Sequence, residues 1–256
     1  MLVIDSHIHL DMYKARDQRR IVNELRDYQI EVLISVSNDY LSAVENLRLA
    51  QEHENVKVAI GFHPEQALPS DKELIRIISL IHENKHNIIG IGEVGLPYYL
   101  RKDNPQINNE PYIKLLETFV QLAAHLKLPI VLHAVYEDAP IACKLLEKYH
   151  IKRAHFHWFK GDEKTLDRIV ANGHVISITP DVCYEEEIQQ IVDQVPLKHM
   201  LVETDGPWAF DGPFASKLTH PQMIHPAIEK IAAIKQMDIN HVYEQLYQNT
   251  KTFYNV

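Results

Sequence analysis

The sequence predicts an α/β fold, a TIM-type (β/α)8 barrel with its functional site at the mouth formed by the carboxyl ends of the strands. Three observations predict it. Eight short apolar runs alternate with helix-like stretches, their starts recur about every 20 to 40 residues, and polar side chains gather near the carboxyl ends of seven of the eight. Because no Gly/Ser-rich or Pro-rich linker interrupts the 256 residues, we expect a single domain over 1–256.

The predicted strands follow one another along the chain up to residue 205. They are LVIDSHIHL (2–10), EVLISVS (31–37), VKVAIGFH (56–63), IIGIGEVG (88–95), PIVLHA (129–134), RAHFHWF (153–159), HVISIT (174–179) and HMLVETD (199–205). Stretches between them, such as DKELIRIISLIHEN and DAPIACKLLEKYH, place an apolar residue every three or four positions, which is typical of amphipathic helices. Two further helices, PQMIHPAIEKIAAIKQM and NHVYEQLYQNTKTFY, are predicted after the last strand.

Composition narrows the function classes. No apolar run approaches the roughly 20 residues of a membrane span, and MLVIDSHIHL lacks a basic signal-peptide start, so we expect a cytoplasmic protein. Cys143 and Cys183 fit a reducing compartment and are interpreted as small core residues. The formal net charge of −9 disfavours a broad basic surface for nucleic acid, but bound divalent cations can supply positive charge locally in a nuclease.

The first strand carries D-S-H-I-H at residues 5–9. Because side chains alternate along a strand, Asp5, His7 and His9 are expected on one face. Two imidazoles about 6 to 7 Å apart along a strand can chelate a single ion. A polar strand end facing water is the alternative, and agreement with the other strand ends favours a metal site.

Six polar residues fall at or just past the carboxyl ends of six different predicted strands: His9, His63, Glu93, His133, His157 and Asp205. In a TIM barrel these ends converge on one mouth, where the active sites of this architecture lie. His155 and Glu203 have the same parity as His157 and Asp205 but lie one layer deeper. We therefore interpret His155 as a packed residue rather than a ligand.

Gly90, Gly92 and Gly95 spell G-x-G-x-x-G, the spacing of a dinucleotide-binding loop. Such a loop must open directly into a helix, whereas LPYYLRKDNPQINNEP contains two prolines and no helical periodicity until about residue 110. We therefore interpret the segment as a strand end that presents Glu93 between small residues. Glu93 is a candidate bridging metal ligand, with a salt-bridged barrel residue as the alternative.

Six motifs in this order resemble the TatD family of metal-dependent hydrolases: D-S-H-I-H, G-F-H-P, G-E-V-G-L, L-P-I-V-L-H, H-W-F-K-G and E-T-D-G-P. The resemblance runs from residue 1 to Asn249, essentially the whole chain. It implies a TIM barrel with a binuclear divalent-metal centre. For characterised members it also implies deoxyribonuclease activity that includes 3′-to-5′ exonuclease cleavage.

Position by position, the resemblance also implies roles for the residues at the mouth. His7, His9 and Asp205 would hold one ion, His133 and His157 would hold the other, and Glu93 would bridge them. His63, in the G-x-H-P motif, would contact the scissile phosphate or orient water.

The chain departs from the family pattern near the mouth. Pro97 stands where the family usually has Asp after G-E-x-G-L. HAVYEDA replaces an H-S-R-D-A type stretch, so this chain lacks a basic residue there that could touch phosphate. HWFKG replaces H-C-F-S-G and offers Lys160 as a cation, and Lys217 stands roughly where the family has a basic residue before a proline. None of these departures removes a predicted metal ligand. We predict that His63, Lys160 and Lys217 bind substrate.

The expected chemistry is hydrolysis of a phosphodiester by a hydroxide that bridges two ions about 3.5 to 4 Å apart. Mixed His and carboxylate ligation suits Zn²⁺, Mn²⁺, Co²⁺ or, more weakly, Mg²⁺. We predict that Asp205 accepts the proton of the attacking water, so that Asp205, Glu93 and His63 are the catalytic residues.

The expected substrate is DNA, entering as a single strand or a frayed end because a barrel mouth is too narrow to read a duplex groove. Aromatic side chains near the strand ends are candidates for base stacking, with ordinary loop packing as the alternative. They are Tyr98, Tyr99, Trp158, Trp208 and Phe210.

Two other functions stay open. An amidohydrolase-like enzyme would act on a small ester, lactone or amide. Many such barrels bridge their metals with a modified Lys at the fourth strand, where this chain has Glu93. A non-catalytic metal-binding protein is the second alternative, and the complete ligand set disfavours it. None of these functions predicts a membrane or an obligate protein partner.

Overall fold

Eight parallel strands form a single sheet in the order β1 to β8 in the computed structural model, which describes residues 1–256. The strands are β1 (Val3–Ile8), β2 (Ile30–Val36), β3 (Val56–Ile60), β4 (Gly90–Gly95), β5 (Ile130–His133), β6 (Ala154–Phe156), β7 (Val175–Ile178) and β8 (Met200–Val202). All eight predicted strands are present, and each except β2, which has the same length as its apolar run, is shorter than predicted. The TIM-type barrel is confirmed.

Hydrogen bonds just beyond the strands draw β1 and β8 together and nearly close the barrel. The backbone amide of Thr204 donates to the Asp5 carboxylate (3.0 Å), and the Thr204 hydroxyl donates to its other oxygen (2.5 Å). The amide of Asp205 donates to the carbonyl of His7 (2.9 Å), and the amide of His9 donates to the carbonyl of Gly206 (2.7 Å). These bonds place the ends of the first and last strands side by side.

Ten helices accompany the strands. They are α1 (Ala15–Glu24), α2 (Tyr40–Glu52), α3 (Asp71–Glu83), α4 (Tyr98–Asp103), α5 (Glu110–Leu126), α6 (Ala139–Lys148), α7 (Glu163–Ala171), α8 (Glu186–Gln194), α9 (Ile224–Lys235) and α10 (Ile239–Tyr254). Asp39, Ser70, Asp162 and Asp238 begin α2, α3, α7 and α10 by accepting hydrogen bonds from first-turn amides. None of the ten combines the length and apolar character needed to cross a membrane.

Apart from a small cluster of Phe210, Phe214 and Met223, the apolar core has two parts. The larger fills the space between the strands and the helices. The smaller fills the lower interior of the barrel, where Ile4, Val131 and Leu201 meet Phe253 and Tyr254 from the end of α10. The polar residues at the mouth therefore lie above an apolar layer inside the barrel.

Three expectations need correction. The pairing of β1 shifts register between Asp5 and Ile8, so Ile4 and His7 both reach the interior, and the alternation expected for Asp5, His7 and His9 does not hold. The segment after Pro97 does form a helix, α4, which at six residues is too short to show periodicity. Cys143 is buried in the core, but Cys183 is only half-buried.

Candidate metal centre

The six predicted ligands come together at the mouth of the barrel, and all of them are buried. His7 lies in β1 and His9 follows that strand, Glu93 lies in β4, His133 ends β5, His157 follows β6, and Asp205 follows β8. Five strand ends therefore supply one cluster, as the alternation of strands and helices predicts for a barrel.

Glu93 stands at the centre of this cluster, and its two oxygens face different histidines. Oε2 lies 3.2 Å from Nε2 of both His7 and His9. Oε1 lies 2.6 Å from Nε2 of His157 and 2.9 Å from Nδ1 of His133. The carboxylate thus divides the site into two sets of donor atoms.

The first donor group consists of Nε2 of His7, Nε2 of His9, Oδ1 of Asp205 and Oε2 of Glu93. The two imidazole nitrogens are 3.4 Å apart, and they lie 3.3 and 3.4 Å from Oδ1 of Asp205. Four donors around a tetrahedral ion at about 2.0 to 2.1 Å stand about 3.3 to 3.4 Å from one another. The spacing of this group therefore fits a single divalent cation.

The second donor group consists of Nδ1 of His133, Nε2 of His157 and Oε1 of Glu93. The two nitrogens are 3.1 Å apart. His63 stands at its edge, with Nε2 at 3.6 Å from Oε1 of Glu93. Three donors with an open side leave room for a substrate or water.

Unsatisfied atoms support the fit of both groups to cations. Oε2 of Glu93 and Oδ1 of Asp205 are buried and receive no hydrogen bond of normal geometry. A buried carboxylate oxygen without a partner is costly, and a cation placed among these donors removes that cost. The donor set of histidines and carboxylates therefore fits a divalent metal.

The charges in the cluster are strongly coupled. Burial disfavours the charged form of His9, but contacts with Asp205 and Glu93 outweigh burial and raise its pKa to about 10. Burial likewise opposes protonation of His157, yet the neighbouring Glu93 raises its pKa well above the usual value. The pKa of Glu93 is held well below its usual value, because the surrounding histidines outweigh its burial. In the metal-free site these contacts favour the protonated forms of His9 and His157.

His63 is a hydrogen-bond donor toward the site. Its Nδ1 accepts the backbone amide of Glu65 (3.2 Å), so the ring proton of the neutral imidazole must sit on Nε2. Burial lowers the pKa of His63 to about 3, which keeps the ring neutral. In the metal-free protein Nε2–H therefore faces Glu93 at 3.6 Å, although His63, Glu93 and His133 also form a group close enough to hold an ion.

A second layer of polar residues lies beneath the ligands. Glu203 accepts the amide of Trp158 (2.8 Å) and lies 3.4 Å from Nδ1 of His157. His155 bonds through Nδ1 to the hydroxyl of Tyr254 (2.7 Å) and belongs to neither donor group. This placement agrees with the interpretation of His155 as a packed residue.

An open cavity of about 650 Å³ leads from the donor groups to the surface. Tyr99, Trp158 and Trp208 line it, and Lys160 is the only Lys or Arg that does so. The Lys160 ammonium lies 5.2 Å from the ring of Trp158. Asp181, which was not predicted, accepts a hydrogen bond from Nε1 of Trp158 (2.6 Å) and fixes that ring.

Three residues predicted near the substrate stand elsewhere. Lys217 is exposed and donates to the carbonyl of Pro213 within its own loop, outside the cavity lining. Phe210 is buried against Phe214, which agrees with the packing alternative for this ring. Tyr98 packs between Tyr99 and Tyr136 and does not line the cavity.

Sequence reasoning missed Glu65, which lies beside His133. Its Oε1 is 3.1 Å from Nε2 of His133. The signal was a carboxylate two residues after His63 in G-F-H-P-E, but a search confined to strand ends passes over it.

Close strand packing explains the glycines of the G-x-G-x-x-G spacing. A Cβ added to Gly92 would lie 2.6 Å from Cβ of Val131, and one added to Gly95 would lie 1.8 Å from the carbonyl oxygen of His133. These glycines let β4 approach β5, which brings Glu93 to His133.

Comparison with known proteins agrees with this geometry. The family model of TatD-related DNases matches residues 4–255. An uncharacterized metal-dependent hydrolase of Haemophilus influenzae is 37% identical over 256 residues, covering all of both chains. The human deoxyribonuclease TATDN3 is 27% identical, covering 96% of this chain and 92% of its own.

Among solved structures, a TatD homologue of Escherichia coli K12, YJJV, superposes with a TM-score of 0.90 and 22% identity, covering 99% of this chain and 98% of its own. A TatD-family hydrolase of Entamoeba histolytica superposes with a TM-score of 0.83 and 19% identity, covering 99% of this chain and 98% of its own. At these identities the likeness supports the fold.

Proposed function

Because this chain belongs to the TatD-related DNase family and is a metal-dependent hydrolase of the TatD type, we propose that it hydrolyses phosphodiester bonds of DNA with two divalent cations. The observation that carries the proposal is the central position of Glu93, whose two oxygens face the first and second donor groups separately. A carboxylate shared in this way is suited to join two ions in one centre.

The first donor group would hold one ion and the second donor group the other. Zn²⁺, Mn²⁺ and Co²⁺ suit this mixture of imidazole and carboxylate, and Mg²⁺ suits it less well. When bound, two such ions lower the pKa of a water at the site and stabilise the negative charge that develops on the phosphate.

Protein groups would carry the remaining steps. Asp205 is kept ionised by its contacts with His7 and His9, which hold its pKa below the usual value against the effect of burial. We assign it to accept the proton of the attacking water. Nε2–H of His63 would donate to a phosphate oxygen at the open side of the second donor group, and Lys160 would offset a further phosphate charge.

The cavity suits an unpaired strand end. Trp158, Trp208 and Tyr99 offer ring faces along the wall, and base stacking on such rings tolerates any sequence. A duplex would meet the rim before its backbone reached the donor groups. We therefore propose single-stranded or frayed DNA as the substrate, degraded from the 3′ end.

The test is turnover of a 5′-labelled single-stranded oligonucleotide by chelated protein reloaded with Mn²⁺, Zn²⁺ or Mg²⁺. We expect a metal-dependent ladder of shortened products that Glu93→Ala abolishes. Glu83→Ala, on the exposed face of α3, serves as the matched control. Absence of cleavage by protein carrying two ions would contradict the DNase proposal.

A second candidate is hydrolysis of a small ester, lactone or amide. It is favoured by the charge of the cavity, because Asp39 and Glu65 line it together with a single lysine, Lys160. Such a lining is less suited to several phosphates than to one neutral substrate. Turnover of such compounds by protein inactive on DNA would favour this candidate.

A further inference from the structure

Glu65 connects three parts of the mouth. Its side chain is 14% exposed, and it belongs to the loop between β3 and α3. Its Oε1 accepts the amide of Tyr99 (2.9 Å), and its Oε2 accepts the amide of Leu100 (2.6 Å), both in the first turn of α4. Oε1 also lies 3.1 Å from Nε2 of His133.

The orientation of the His133 ring decides which nitrogen can bind a cation and which one carries the proton. Nδ1 belongs to the second donor group, at 2.9 Å from Glu93 and 3.1 Å from His157. An imidazole nitrogen that binds a cation must carry no proton, so the ring proton has to sit on Nε2, where the Glu65 carboxylate accepts it.

We propose that Glu65 is a positioning residue for the metal centre, holding His133 in the tautomer and orientation that present Nδ1 to the second ion. The inference rests on the proposed two-ion site. The two amides of α4 keep the carboxylate in place, so its oxygens have no freedom to turn toward the cations. Glu65 therefore acts on the metal through His133 and is not itself a ligand.

A structural explanation competes with this one. On that explanation Glu65 matters only because it anchors α4, and the chain offers a control for that effect. Arg101, also on α4, pairs with buried Asp138 at 2.6 Å, away from both donor groups. Arg101→Ala loosens the helix without touching His133.

The experiment titrates metal-free full-length protein with Co²⁺, following the visible absorption of the bound ion and the affinity of each site. We expect Glu65→Ala to weaken the second ion about 10- to 100-fold, to change its absorption spectrum and to leave the first ion unchanged. Glu65→Gln, whose amide oxygen can still accept from Nε2–H, should bind the second ion more tightly than Glu65→Ala. Arg101→Ala should bind both ions like the wild type.

Each other outcome contradicts a specific claim. Unchanged binding of both ions by Glu65→Ala, or an equal loss in Arg101→Ala, overturns the role of Glu65 while leaving the two-ion site intact. The role of Glu65 is also overturned if Glu65→Gln binds the second ion no more tightly than Glu65→Ala. If the wild type binds no second ion, the proposed centre fails first and the role of Glu65 fails with it.

Discussion

Oε1 of Glu93 lies 2.6 Å from Nε2 of His157, while Oε2 of the same carboxylate lies 3.2 Å from Nε2 of His9. One side chain thus contacts histidines on opposite sides of the barrel mouth. A change at this position acts on both donor groups at once.

Glu93→Ala should therefore weaken both cations together. Each donor group loses an oxygen, and the histidines of both groups lose the carboxylate that offsets their charge. We expect at least about a 100-fold rise in both dissociation constants, measured by metal titration of chelated protein. Retention of two ions at wild-type affinity would contradict the bridging position.

Asp205→Asn should separate metal binding from proton transfer. The amide oxygen can still take the place of Oδ1, but the side chain no longer accepts a proton as a carboxylate does. We expect turnover to fall by about 10² to 10⁴ with two ions still bound, measured at saturating metal. Full turnover in the metal-loaded variant would remove Asp205 from the proton-transfer step.

Metal uptake at pH 7 should release protons. The pKa of His9 is raised to about 10 in the metal-free site and that of His157 is raised as well, so both rings are protonated at neutral pH. A cation binds only the neutral ring, so binding strengthens as the pH rises toward those pKa values. Calorimetry in two buffers of different protonation enthalpy measures the release, and equal heats in both buffers would contradict it.

Replacing Trp158 and Trp208 with alanine should raise KM for single-stranded DNA more than it lowers kcat. Stacking of a base on an aromatic ring contributes about 1 to 3 kcal/mol, which corresponds to at least about a fivefold rise. Tyr247→Leu, an aromatic residue of α10 outside the cavity lining, is the matched control. An unchanged KM in the double variant would assign these rings to packing alone.

His174 should make the fold sensitive to acid. Burial lowers its pKa to about 4, against about 6.5 in the unfolded chain. The depressed pKa means that the unfolded state binds the proton first, so stability is lost as the pH falls from about 6.5 to about 4. In metal-free protein, His174→Gln should remove on the order of 2 kcal/mol of that loss, measured by urea unfolding at pH 7 and pH 4. If the wild type and His174→Gln lose the same free energy of unfolding between pH 7 and pH 4, His174 is not the source of the acid sensitivity.

The barrel and five of its six candidate ligands follow from the sequence for one physical reason. Parallel strands alternating with helices bring their carboxyl ends to one place, so His9, Glu93, His133, His157 and Asp205 needed only their positions at those ends to be grouped. The roles of these residues in metal binding and catalysis stay predictions, tested by the experiments above.

Details that depend on local backbone geometry could not be predicted. The shift of register in β1 breaks the simple alternation of side chains, and α4 is too short to show a period. Glu65 lies in a loop and Asp181 in a single 3-10 turn after β7, where the spacing of residues does not show which way a side chain points. Their contacts with His133 and Trp158 appear only once the chain is folded.

The junction of β1 with β8 has a consequence for how the protein matures. During translation His7 and His9 emerge near the start, whereas Asp205 follows only after all eight strands have been made, and Tyr254 beneath His155 later still. A nascent chain on the ribosome therefore lacks the carboxylate that completes the first donor group. Loading of the cations is expected to be a late step, after the two ends of the barrel have met.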